Sequence, residues 1–250
     1  MERAATTTGA YAMQWSGEGL LIGVRRHGET SVIAEVMVAQ KGRTLGLIRG
    51  GRSTKLAATL QAGNTVQVTW RARLEQHLGT FTIELIDARA ADLIADRTRL
   101  YACQLLCDHL RLLPERDPHD RLLAAAVNAL DEKPARDLAI ELARFELALL
   151  DDLGFGLDLG ACAVTGTTDD LTHVSPKTGR AVSREPAKPY CDRLLVLPQF
   201  LISATAPVLP GDIVHAFRLT GHFLHMHVWE PRQIEAPAIR DTLIEDFNRL

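Results

Sequence analysis

No apolar run in this 250-residue chain reaches the length of a membrane span, so a helical anchor is not expected. Cysteine is scarce. Cys103, Cys107, Cys162 and Cys191 do not form the dense framework that small secreted domains need. The leader MERAATTTGAYAMQ lacks an apolar core and does not read as a secretory signal. Residues 1–14 are expected to form a disordered tail, with Met13 an alternative start, and a cytoplasmic location is the default. Positive charge is not in excess either: the net charge is −3 and the pI about 6.3, which excludes a uniformly basic nucleic-acid protein.

Catalytic signatures are missing as well. There is no nucleophile elbow, no carboxylate pair in a predicted cleft and no cysteine with a motif-level histidine partner, so no catalytic residue is assigned. GGRSTK lacks the G-x-x-x-x-G-K-[ST] spacing, which removes support for nucleotide hydrolysis. His215, His222, His225 and His227 crowd one helical segment, but without H-E-x-x-H or a cysteine pair they read as packing residues rather than metal ligands. Cys103 and Cys107, at i and i+4 in an apolar stripe, read as buried small hydrophobes.

What is present is an asymmetry of charge. Residues 1–87 carry 10 basic and 7 acidic side chains, whereas 88–250 carry 18 and 24. The stretch Gly23 to Lys55 concentrates it, with Arg25, Arg26, Lys41, Arg43, Arg49, Arg52 and Lys55 against only Glu29 and Glu35. Such a cluster on an otherwise acidic chain is a candidate polyanion footprint, because each cation near a phosphate releases condensed counterions. A solvated sheet face is the plainer alternative.

A period of two runs through Leu20–Arg26, Thr30–Val38, Arg43–Arg49 and the segments around Val66–Trp70 and Phe81–Leu85, predicting five short strands. Five strands in about 70 residues suggest a small closed barrel of the oligonucleotide-binding type, with Gly50 to Asn64 as the crossover after the third strand. Gly23 and Gly46 fit bends or bulges. Arg43 and Arg49 share parity with Leu45 and Leu47, which places the two arginines at strand ends if those leucines face the core. Beyond Ala90 the period becomes helical: Leu100–Leu113, Leu122–Leu130 and Leu138–Leu153 form three helices of an antiparallel bundle. Asp117-Pro118 reads as the N-cap and first residue of the second helix, and Gly154 as the left-handed cap of the third. A Gly/Pro/Thr-rich insertion from Gly160 reads as an irregular hairpin. The segment Pro210–Trp229 and a short helix from Pro237 follow.

The segments GLLIGVRRHGETSVIAEV, GRTLGLIRGGRS, LRLLPERDPH, RFELALLDDLGFGLDL and VSPKTGRAVS together resemble the RecO family of bacterial recombination mediators, in the alphaproteobacterial style, from Trp15 to the C-terminus. The resemblance implies an α+β fold with a disordered leader over 1–14, an oligonucleotide-binding barrel over 15–90, and a helical domain over 91–250 with a zinc-hairpin-like insertion at 160–192. It also implies a cytoplasmic, nucleoid-associated protein that is not an enzyme. Members bind single- and double-stranded DNA and anneal strands coated with single-stranded DNA-binding protein. With RecR, and in some cases RecF, they load RecA. They dock the acidic C-terminal tail of the single-stranded DNA-binding protein on the helical domain, and Arg121, Arg136 and Arg144 are the candidate cations here. Zinc-bearing members show two C-x-x-C pairs. In this chain Thr165, Ser183 and Pro186 stand where three of those cysteines would be, and Cys191 lies too far on, so a hairpin without zinc and no cofactor are expected.

Phosphate contact by Arg25, Arg26, Lys41, Arg43, Arg49, Arg52, Lys55, Arg71 and Arg73 is the expected mode of DNA binding. The barrel is poor in aromatics, and Trp70 and Phe81 lie on the core parity, which leaves no predicted stacking platform. The rival function is an adaptor that contacts only proteins, its basic face meeting an acidic partner.

Overall fold

A computed structural model describes residues 13–131 and 133–249. Five strands, β1 (Met13–His27), β2 (Ser31–Val38), β3 (Gly42–Ile48), β4 (Thr65–Ala72) and β5 (Thr80–Asp87), close into a barrel in the order β1-β2-β3-β5-β4. A short helix, α1 (Thr54–Ala57), lies in the crossover between β3 and β4. Closure comes from one parallel pair, Leu47 with Thr80, reinforced by the Leu47 N–H donating to the Gly79 carbonyl at 3.1 Å. β1 is long enough to serve two neighbours: its first half pairs with β4 and its second with β2, with a register shift between Leu21 and Gly23 where the sequence suggests a bulge.

β1 begins earlier than the sequence pattern predicts. Residues 1–12 of the expected leader lie outside the described residues, but Met13 and Gln14 already pair with Ala72 and Arg71. The inward positions at this end are Trp15, Gly17 and Gly19, and two glycines carry no apolar signal to reveal a strand. In strand β3 the shared parity of Arg43, Leu45 and Leu47 holds, and it is the outer face. Thr44, Gly46 and Ile48 face the core, and Leu45 and Leu47 share the half-buried outer face with Arg43. Gly46 faces inward because a Cβ there would sit 2.4 Å from the Phe81 ring, so a position of low apparent hydrophobicity is a core position. Leu21, Val36, Val66, Val68, Trp70, Phe81 and Ile83 fill the barrel.

After α2 (Ala90–Ala95), the helices α3 (Arg97–Leu110), α4 (Asp120–Leu130) and α5 (Ala135–Asp152) follow. Contacts divide the chain into two units, one of residues 13–92 with Pro114–Pro118, the other of Leu93–Leu113 with 119–249. Pro114–Pro118 is thus spent on the barrel rather than on starting a helix. α4 has His119 at its N-cap position with no side-chain cap, against the expected Asp117-Pro118 start.

The rest of the helical unit is a three-stranded sheet of β6 (Leu171–Val174), β7 (Ala181–Ser183) and β8 (Leu195–Val196), with α6 (Arg184–Ala187) between β7 and β8. Then come α7 (Asp212–Leu224), α8 (Glu230–Arg232) and α9 (Ala238–Phe247). α5 packs against α3, α4, α7 and α9. It ends as the sequence predicts. Gly154 is left-handed (φ 85°), its N–H donates to the Asp151 carbonyl, and the Phe155 N–H reaches the Leu150 carbonyl at 2.8 Å, satisfying carbonyls of the last turn. Between α7 and α8 the chain takes a wider turn over His225–Trp229.

Candidate nucleic-acid interface

The barrel presents its cations unequally. Arg25 and Arg26 lie exposed at the end of β1, Arg49 just past β3, and Arg52 and Lys55 in and after the following turn. Arg52 donates to the Glu29 carbonyl at 2.5 Å, which orients the side chain without neutralising its charge. Arg71 is exposed, its Nε donating to Gln14 Oε1 at 2.8 Å, and Arg73 is exposed beyond it. Lys41 in the β2–β3 turn holds its ammonium 5.9 Å from the Trp15 ring centroid. Among the described residues, none of these eight is ion-paired to a carboxylate.

Arg43 is different. Its guanidinium lies 2.5 Å from Glu35 on β2, both side chains only 16% exposed, and 3.9 Å from Glu115. A half-buried charge already paired gains little from a phosphate and loses its partner on the way. The pairing therefore puts Arg43 in the scaffold, at the start of β3 as the sequence suggests but facing outward.

That scaffold includes the loop Pro114–Pro118. The Arg116 N–H donates to the Arg43 carbonyl at 2.9 Å. Its guanidinium donates to the Glu75 carbonyl and, at 2.7 Å, to the His77 carbonyl, and lies 5.4 Å from the Trp70 ring centroid. The loop approaches so closely that a Cβ on Gly42 (φ 68°) would fall 2.0 Å from the Asp117 carbonyl oxygen. Sequence reasoning missed this contact because nothing local to PERDP marks it as part of a barrel.

In the helical unit the three candidate cations separate. Arg121 is paired with Asp151 at 3.0 Å and Asp152 at 3.5 Å. Arg144 donates from Nε and Nη2 to the Phe200 carbonyl. Arg136 donates to the Val208 carbonyl at 2.5 Å and borders a cavity of about 400 Å³ whose apolar wall includes Leu209, Ile213 and Phe247.

The same unit holds a buried ionic network absent from the sequence reading. Glu146 on α5 accepts from Arg240 Nε at 2.7 Å and Nη2 at 2.8 Å, from Thr220 Oγ1 at 2.5 Å and from His109 Nε2 at 3.0 Å. Burial pushes the Glu146 carboxyl up, but the Arg240 charge and the hydrogen bonds of Arg240 and His109 outweigh it and hold the group down at about 2. α3, α5, α7 and α9 each contribute one member.

In the hairpin, Cys162 Sγ accepts from the Ser183 N–H at 3.3 Å and from Ser183 Oγ at 3.2 Å. Burial raises the thiol, but hydrogen bonds from Ser183 and Thr165 lower it further, to about 6. The residues standing at the family's zinc positions are thus one thiol, two hydroxyls already hydrogen-bonded to that thiol, and Pro186, which has no donor atom. This set does not fit tetrahedral zinc. Among the described residues no three His, Cys, Asp or Glu side chains converge on a metal position. Of the crowded histidines, His222 bonds the Pro176 carbonyl and His227 stacks against Phe155 and Phe223.

A closed five-stranded barrel in this strand order, with an appended helical unit, defines a protein of the oligonucleotide-binding-barrel class. The family description "Recombination protein O N terminal" matches residues 13–89 and "Recombination protein O C terminal" residues 94–233. Among its relatives, the DNA repair protein RecO of Rhizobium leguminosarum bv. trifolii is 53% identical over 236 residues, 93% of this chain and 92% of the relative. Those of Sinorhizobium medicae and Bartonella tribocorum are 50% and 49% identical over 234 and 241 residues, covering 93% and 95% of this chain and 94% and 96% of the relatives. The chain belongs to the recombination protein O family of DNA repair proteins. Among the described residues no helix is long and apolar enough to cross a membrane.

Proposed function

We propose that this protein is a non-catalytic recombination mediator of the cytoplasm. It binds single- and double-stranded DNA through phosphates on the barrel and anneals complementary strands. With RecR, and with RecF where it takes part, it promotes RecA loading. The observation that carries the reading is the set of exposed cations without carboxylate partners: Arg25, Arg26, Lys41, Arg49, Arg52, Lys55, Arg71 and Arg73. Phosphate contacts leave base edges free, so neutralising two strands lowers their repulsion while they pair. The acidic, apolar-ended tail of single-stranded DNA-binding protein matches the Arg136 cavity better than the surroundings of Arg121, whose charge is already met by carboxylates. The hairpin holds its shape without zinc.

The test is DNA binding and annealing across salt. Replacing Arg25, Arg26 and Arg49 by Ala should weaken single-strand binding and flatten the log–log salt slope by about 2, at roughly 0.7 per lost phosphate contact. Arg43→Ala should leave the slope unchanged. An undiminished slope in the triple variant would remove these cations from the interface, and no DNA binding at low salt would favour an adaptor that meets only proteins.

A further inference from the structure

The start of β1, the β2–β3 turn, the end of β4 and the β4–β5 loop meet around a cleft of about 340 Å³ in the barrel unit. Its floor is aromatic. Trp15 stacks on Trp70 with centroids 5.8 Å apart and planes 18° from parallel, and meets Phe81 edge-on at 6.3 Å. Trp70 is buried and its indole N–H donates to the Leu78 carbonyl, so it is a fixed support, whereas Trp15 is only partly buried. Lys41 stands over Trp15, Arg116 over Trp70, and Gln14, also lining the cleft, holds Arg71. Glu75 is among the lining residues too.

We propose that this cleft receives one base of a single DNA strand, stacked on Trp15, and so adds a base-dependent anchor to the phosphate contacts of the barrel. The inference rests on the DNA-binding reading above. A nucleobase fits the cleft by size, because 340 Å³ lies at the small end of the roughly 300–1,000 Å³ range of ligand clefts and a single base is smaller than a drug-sized ligand. It suits the cleft by charge as well. Glu75 would repel a phosphate seated inside and accept an N–H from a base edge, while Lys41, swinging off Trp15 at the cleft wall, and Arg71 beside it take the flanking phosphates. Stacking is sequence-tolerant because every base has a π-face.

The test compares a fluorescent dT15 with an abasic 15-mer of the same length and charge. Wild-type protein should bind dT15 about 5- to 150-fold more tightly, and dT15, not the abasic strand, should quench tryptophan emission. Trp15→Leu keeps an apolar side chain against Trp70 but removes the ring. It should bring the affinity ratio towards one, leaving abasic binding and its salt slope unchanged. Equal affinity for the two strands in the wild type, or a ratio unaltered in a Trp15→Leu variant with native circular dichroism, would overturn the base site and favour a protein side chain as occupant. Should Trp15→Leu fail to fold, the wild-type affinity ratio and quenching decide. Failure of both strands to bind at low salt would instead remove the phosphate reading, and the base site with it.

Discussion

Arg43 and Arg49 look alike in the sequence, six positions apart in one basic stretch, and the fold gives them different work. A charge enters a DNA interface only if its desolvation has not already been compensated at home, and Glu35 and Glu115 compensate Arg43. The same principle at the opposite extreme governs Glu146. An ionised carboxylate 1% exposed persists only because Arg240, His109 and Thr220 surround it. Since its folded value lies near 2, below the ordinary 4.5, the stability it contributes is fully present above about pH 4.5 and is lost as pH falls towards 2. The shift corresponds to about 3 kcal/mol. Urea denaturation from pH 6 to pH 2.5 should therefore show a loss that Glu146→Gln, already less stable at pH 6 because Arg240 is left buried without its counter-charge, does not repeat in full. Equal pH slopes in the two proteins would contradict the network's role.

Elements decide what a cation can reach. Arg136 near the start of α5 borders a cavity because the Val208–Gly211 segment passes beside it, whereas Arg121 on α4 faces the two carboxylates that end α5. Fluorescence anisotropy with an acidic peptide ending in apolar residues should register at least about a tenfold loss of affinity in Arg136→Ala, a charge-assisted contact being worth roughly 1.5 kcal/mol or more. Arg121→Ala should bind as wild type. The β6–β7 hairpin is a second element whose stability can be probed separately. With Cys162 Sγ already accepting hydrogen bonds from Ser183 and Thr165, EDTA should leave the melting temperature unchanged. Ser183→Ala should cost about 1 kcal/mol, the value of an ordinary hydrogen bond. A chelator-induced drop in melting temperature, or one zinc per chain by atomic absorption, would reverse this account.

The barrel is not a contiguous stretch of chain. Residues 114–118 return to it after α3, and Arg116 then braces the β4–β5 loop and covers Trp70. A fragment ending at Asp92 lacks these contacts. Compared with the full chain, it should show red-shifted tryptophan emission and a barrel transition about 10 °C lower, if the lost bonds are worth roughly 2 kcal/mol. An unshifted spectrum and melting point would make the loop decorative.

The sequence by itself settled the class of fold, the five strands, the helical bundle and the family, because period-two and period-3.6 burial are written in the spacing of neighbours within one element. It left open which face of β3 meets the core, because Gly46 occupies a core position without a hydrophobic side chain, and it passed over Trp15, whose strand is masked by Gly17 and Gly19. Only the tertiary structure could sort paired from unpaired cations, assign PERDP to the barrel and assemble the Trp15 cleft. Each of these depends on groups dozens of residues apart meeting within a few ångströms, and no local pattern encodes such a meeting.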